Sequence, residues 1–235
     1  MNSASLHLPS TRVRRLGLGL LLLAVPACGL SDYEALMRDA QEREKRFHDE
    51  QKYLDKPVTM PTRKVKKDKD KEEREKPVGN VFFRPPRGID SNAKSEPRDN
   101  LIWQYPARSN GNDFIWVALA FGDDEKDFAD KVVKSYQPEP PNPSSLQLTP
   151  PGQETPMLFD TWDFSSGDYG YSINVLRGSR PIAVVYIYNK VRYETVRKAI
   201  EISLQSLAVD PQQVGAARQR YNRPTPWKLE GKSGS

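Results

Sequence analysis

MLFDTWDFSSGDYGYSINVLRGSRPIAVVYIY, residues 157–188, reads as three strands and the two turns between them. In Met157 to Phe164, Leu158, Trp162 and Phe164 lie on one face with Asp160 between them. In Tyr171 to Leu176, Tyr171, Ile173 and Val175 alternate with Ser172 and Asn174. A period of two marks a strand with one buried face. Ile182 to Tyr188 (IAVVYIY) is apolar at every position, which predicts a central strand covered on both sides. Gly167 and Gly170 mark one turn, and Gly178 to Pro181 the other. Turns this short join antiparallel neighbours.

Working outward, the period changes to 3.6 after Asn189, which can cap a helix over Val191 to Leu207. Its Val196, Ile200, Leu204 and Leu207 face the sheet. Asp210-Pro211 ends it. Upstream, Phe114 to Ala120 (FIWVALA) is a buried strand, Leu101 to Tyr105 an edge strand stopped by Pro106, and Val81 to Phe83 a short strand. Asp123 to Tyr136 reads as a helix with Phe128, Val132, Val133 and Tyr136 inside and acids in its first turn. Gln137 to Pro156 is proline-rich and reads as a long loop. The predicted class is α+β, an antiparallel sheet with covering helices over residues 81–209.

The flanks differ in character. Ser31 to Leu54 is predicted helical, opened by an S-x-x-E capping box of Ser31 and Glu34 and followed by Pro57. Tyr33, Ala40, Phe47 and Leu54 recur every seven residues, but the companion column Met37, Glu44, Gln51 is not apolar, so a charged stalk is preferred over a coiled coil. Residues 55–80 contain VKKDKDKEERE (65–75) among prolines and read as a solvated, disordered linker. Its Lys64, Lys66, Lys67, Lys69 and Lys71 face interleaved Asp68, Asp70, Glu72 and Glu73, which blunt any attraction to an anionic surface. Residues 210–235 form a basic tail with Arg218, Arg220, Arg223, Lys228, Lys232 and one Trp227, read as disordered.

At the start of the chain, Arg12, Arg14 and Arg15 precede an apolar run, Leu16 to Ala24, and then Val25-Pro26-Ala27-Cys28-Gly29. A basic region, a short apolar core and small residues are the pattern of a secretory signal over residues 1–27. The apolar run is too short to span a bilayer, which takes about 20 residues. Val25, Ala27 and Cys28 resemble the lipobox of bacterial lipoproteins, with Pro26 where a small residue is usual. That resemblance implies a diacylglyceryl group on the Cys28 thiol, cleavage before it and acylation of the new amino terminus. Cys28 is the only cysteine in the chain, and an unpaired thiol in an oxidising compartment fits such a modification better than a free one. Gly29 is not the Asp that retains many such proteins at the inner membrane, so the expectation is the outer membrane, facing the periplasm.

Composition narrows the chemistry. The chain has 36 Lys and Arg against 31 Asp and Glu, but the signal carries three of the arginines and no acid. The mature chain is left with 33 cations against 31 anions, too balanced to point to nucleic acid. His48 is the only histidine beyond the signal and sits in a charged helix, which excludes Cys/His zinc sites and Cys-His nucleophilic pairs. No phosphate-binding glycine loop and no G-x-S-x-G is present. The expectation is no cofactor and no metal.

Two groups remain as candidate sites. Asp160, Asp163 and Asp168 lie on one strand and its turn; a hydrolase would need them to converge, yet Asp160 and Asp163 fall on opposite faces unless a bulge intervenes. Trp162, Tyr169 and Tyr171 form a possible binding surface if they are exposed, within a set of strand aromatics that also includes Trp103, Trp116, Tyr186 and Tyr188; core packing is the commoner use of such residues. The phrase Phe83-Arg84-Pro85-Pro86-Arg87-Gly88, followed by a helix, a meander and a closing helix, resembles the PsbP-like fold. That resemblance implies an accessory or binding role and assigns no functional residue. Together these readings predict a membrane-anchored, non-catalytic envelope module bound to lipid through Cys28 and to an envelope protein or polymer, with a hydrolase or a structural spacer as alternatives.

Overall fold

The computed structural model describes residues 27–60, 62–66, 73–77, 80–92, 102–109, 113–122, 127–150, 153, 155–178 and 181–222. The signal before Ala27, the start of the Asp123 helix and the tail beyond Asn222 lie outside them. The chain divides into two compact units, Met1–His48 and Asp49–Ser235.

The first helix, α1, spans Ala27–Tyr53. It is under way at Ala27, so Ser31 is inside it and the expected capping box with Glu34 does not begin it. In the first unit its side chains from Asp32 to Arg46 are exposed, laced by pairs one turn apart: Arg43–Asp39, Arg46–Glu42 and His48–Glu44. The two exposed arginine–carboxylate pairs add about 0.2–0.5 kcal/mol each.

In the second unit a six-stranded antiparallel sheet forms the centre. Two strands outside it, β1 (Thr62–Lys66) and β2 (Glu73–Pro77), pair only with each other. The large sheet comprises β3 (Ile102–Pro106), β4 (Phe114–Phe121), β5 (Ser144–Leu148), β6 (Met157–Ser166), β7 (Tyr169–Leu176) and β8 (Ile182–Asn189), in the order β3-β4-β8-β7-β6-β5. The α+β class and the β6-β7-β8 meander are as expected. Gly167, at φ 58°, takes the left-handed conformation required in the two-residue turn between Ser166 and Tyr169.

Helices cover both faces. α2 (Phe128–Lys134) inserts Phe128, Val132 and Val133 against Trp162, Ile173 and Val185. A 3-10 turn, Lys190–Arg192, precedes α3 (Tyr193–Gln205); the Asn189 side chain accepts a hydrogen bond from the Val191 amide at 3.2 Å. Val191 is thereby left 84% exposed, and the inward stripe starts at Val196. Val196, Ile200 and Leu204 pack with Phe83, Phe159, Val184 and Tyr186 on the other face. Every residue from Ile182 to Tyr188 is buried, as a strand between two helical layers must be.

Three segments depart from their expected character. Residues 55–60 are not linker: the Val58 amide donates to the Phe83 carbonyl at 3.0 Å, the Thr59 amide to Ser91 at 2.9 Å, and Val58 is in the core. Further on, the charged stretch supplies β1 and β2. Within the proline-rich loop Ser144–Leu148 pairs with β6 as an edge strand. α3 stops at Gln205, before the expected Asp210-Pro211, and that dipeptide instead starts α4 (Pro211–Asn222): the Asp210 carboxylate accepts from the Gln212 amide at 2.9 Å, and Val214 and Ala217 bury against Phe82 and Ala208. That part of the expected tail is ordered helix.

Burial raises the pKa of Tyr105, Tyr186 and Tyr188 by penalising the phenolate; the hydrogen bond from Tyr186 to Ser203 at 3.0 Å opposes this in part. A folded-state value above the unfolded one means the stabilisation is complete below the unfolded pKa of about 10 and is lost as pH rises beyond it. An alkaline titration followed at the phenolate absorbance band should therefore show a cooperative step that coincides with unfolding. Smooth independent ionisation of all 10 tyrosines would contradict it.

Candidate functional site

The predicted carboxylates do not converge. β6 pairs with β7 in unbroken register, Asp160 opposite Val175 and Asp163 opposite Ser172, so no bulge rotates one acid to the other's face. Asp160 is held by Arg177, whose Nε lies 3.0 Å from Oδ1, and this partner raises the Arg177 pKa. Asp163 is exposed on the opposite face, and its charge, after burial, helps raise the Tyr188 pKa. Asp168 sits in the turn and offers its backbone carbonyl to the Lys190 amide at 2.9 Å. Among the described residues no group of three or more His, Cys, Asp or Glu could hold a metal.

The aromatic surface divides as well. Trp162 is only 7% exposed and belongs to the core beneath α2, which removes it from the predicted binding surface. Tyr171 stacks on Phe164 with ring centroids 5.0 Å apart and meets Tyr136 at 6.1 Å. Tyr169, at 46% exposure, alone of the three is exposed. One helix covering that sheet face is the reason: alternation placed Trp162 and Tyr171 together but did not show that α2 would lie over them.

Concavity occurs elsewhere. A groove of about 430 Å³ is lined by Gln205, Gln212, Gln213, Gln219 and Arg220 with Ala217 at its wall. Another, of about 400 Å³, brings Lys56, Asn92 and Arg218 to a wall of Val81, Phe82 and Tyr221. A third, of about 420 Å³, lies among Lys52, Tyr53, Arg87 and Asp113. None is lined by Asp160, Asp163, Asp168, Trp162, Tyr169 or Tyr171. The first two depend on α4, whose residues had read as tail; the signal that reveals it is Asp210-Pro211, an N-cap residue followed by proline at the first helical position.

Next to these grooves is a buried polar centre. Arg84 is 5% exposed, and its backbone is fixed from α3: its amide donates to Ser206 Oγ at 2.9 Å and its carbonyl accepts from Ser203 Oγ at 2.7 Å. The guanidinium donates to Glu50 Oε2 at 2.9 Å and to the Asp55 carbonyl at 3.0 Å, and it lies 5.1 Å from the centroid of the Tyr221 ring. Burial lowers the Arg84 pKa and Glu50 opposes that shift; the group stays cationic because an arginine starts so high. One side chain thus ties together the end of α1, the loop after it and α4. Every donor that Arg84 uses is directed inward, so the arrangement is structural.

No protein-family model and no curated protein sequence matches the chain. Among solved structures, the solution structure of cyanobacterial PsbP (CyanoP) from Synechocystis sp. PCC 6803 is similar at 10% identity, covering 65% of this chain and 94% of that one, with a TM-score of 0.33. At that TM-score the likeness carries no argument about function; the α+β class rests on the sheet and helices themselves.

Proposed function

We propose that this chain is a bacterial envelope lipoprotein, held at a membrane by acyl groups on Cys28 and acting as a non-catalytic interaction module. The observation that carries the proposal is the run from Arg12 to Cys28, basic, then apolar, then small, ending at the chain's only cysteine. α1 supports it, since this 27-residue helix, exposed from Asp32 to Arg46, starts beside Cys28 and is roughly 40 Å long at about 1.5 Å per residue. A non-catalytic role is supported by Asp160 and Asp163 lying on opposite faces of β6. The absence of Asp at position 29 favours the outer membrane, with an envelope protein or polymer as partner.

Metabolic labelling with a clickable palmitate analogue tests the anchor directly. The wild-type chain should carry label and fractionate with membranes. Cys28→Ala should abolish the label, because no other thiol is available. An unlabelled, soluble wild-type chain beginning at Cys28 would overturn the proposal.

A further inference from the structure

The exposed part of α1 is mostly charged, but its first turns carry three large apolar side chains in the open. Met37, Tyr33 and Leu36 are 44%, 61% and 65% exposed. Apolar residues scattered singly over a surface need no explanation, whereas a contiguous set marks a contact. At about 100° per residue these three and Ala40, also exposed, fall within an arc about 100° wide. Ala35, Arg38 and Glu42 lie on the opposite side of the helix. Arg43 and Glu44, on the lines of Leu36 and Met37 but two turns further on, end the stripe.

Two occupants suit a one-sided stripe, a second copy of the helix or a membrane. From Tyr33 to Ala40 the stripe is about 11 Å long. A coiled-coil seam needs apolar positions sustained over about three to four heptads, so a second copy is poorly matched. A membrane is matched by position. The helix runs unbroken from Ala27, which puts Tyr33 about 8 Å and Met37 about 14 Å along its axis from Cys28. Acyl groups on Cys28 would hold the stripe at the headgroup boundary, where an amphipathic helix buries its apolar face about 5–10 Å deep. Tyrosine favours that boundary, with an apolar ring and a polar hydroxyl.

We propose that the first turns of α1 lie in the membrane interface, with Tyr33, Leu36 and Met37 among the upper acyl chains and Ala35, Arg38 and Glu42 toward water. The inference rests on the lipoprotein reading of Cys28 and adds an orientation to it. A helix standing upright on its anchor has no reason to be apolar on one side only; a helix that leaves the surface at a shallow angle does. Asp32, Glu34 and Asp39 outnumber Arg38 over these turns, so the attraction is apolar and does not require anionic lipid.

On that reading the Cys28 thiol is consumed, and the chain has no other cysteine, so one introduced cysteine is the sole free thiol. The full mature chain, purified from membranes and reconstituted in phosphatidylcholine vesicles, is spin-labelled at one position at a time. Labels at Tyr33→Cys, Leu36→Cys and Met37→Cys should collide severalfold more with dissolved oxygen, and severalfold less with a water-soluble nickel chelate, than labels at Ala35→Cys, Arg38→Cys and Glu42→Cys. Adding Leu36→Glu with Met37→Glu should open the label at position 33 to nickel; glutamate is a good helix former, so the helix is kept. Arg38→Gln with Glu42→Gln should leave that label shielded. Palmitate labelling of the same samples reads the anchor separately. An acylated chain whose two sides meet nickel equally would overturn this proposal and leave the lipoprotein reading standing, whereas a chain without acyl groups would overturn both. Magnetic broadening between labels on the stripe would also overturn it, because a second copy would then be the occupant.

Discussion

Glu50→Ala should lower the unfolding free energy by about 3 kcal/mol, measured by urea denaturation of the mature chain. The pair it breaks is enclosed: Glu50 is 19% exposed and Arg84 6% at the side chain, with 2.9 Å between the charged atoms. Removing one partner leaves the guanidinium buried with only the Asp55 carbonyl and the Tyr221 ring to replace water. It also removes the anion that separates Arg84 from Arg220, which lies 3.9 Å from the same carboxylate. Residual access of water to Glu50 sets the expected loss at the low end of the range for buried pairs. Replacing both residues, Glu50→Leu with Arg84→Met, should recover most of the loss because no charge is then stranded. A loss below about 1 kcal/mol for Glu50→Ala would mean that the pair behaves as an exposed one.

Gly170→Ala should cost about 2–3 kcal/mol, although it adds one methyl group. Gly170 pairs directly with Tyr188, and a β-carbon there would lie 2.3 Å from Cε2 and 2.6 Å from Cζ of the ring. The ring cannot swing clear easily, being 3% exposed and packed against Tyr193 at 6.1 Å. Gly167 offers the internal comparison: nothing lies within 4 Å of its added carbon, and only its φ of 58° opposes substitution. Gly167→Ala should therefore cost about 1 kcal/mol from backbone strain alone. Combining Gly170→Ala with Tyr188→Leu should show strong coupling in a double-mutant cycle, since the smaller side chain opens the space the methyl needs. Additive effects would place the strain elsewhere.

These effects sort what the residue pattern revealed from what it concealed. The β6-β7-β8 meander was legible because alternation, turn glycines and a doubly apolar strand all agreed. The inward stripe of α3 was legible for the same reason. Ser144–Leu148 was hidden because a five-residue edge strand carries little periodicity and the surrounding prolines read as loop. α4 was hidden because a polar sequence with few apolar residues gives a weak helical signal, despite a good N-terminal cap at Asp210. Val58 was hidden by the charges that follow it, though its own burial makes residues 55–60 part of the body.

The candidate site was less legible than the fold. Opposite placement of Asp160 and Asp163 follows from the pleat alone, and unbroken register keeps it. Exposure does not follow from the pleat: Trp162 and Tyr171 needed the position of α2 to be understood.

The ends of the six-stranded sheet bear on how the molecule avoids and permits company. β3 closes with Pro106, which has no amide hydrogen to offer a newcomer. β5 is preceded by Pro138, Pro140, Pro141 and Pro143 and followed by Pro150, with Ser144 and Ser145 exposed at its start. Prolines at a sheet border act as gatekeepers against extension by a foreign strand, and hence against aggregation in a crowded compartment. With its sheet borders guarded in this way, the side chains of the faces, helices and grooves, rather than the backbone of a sheet edge, are the surface that another chain would meet.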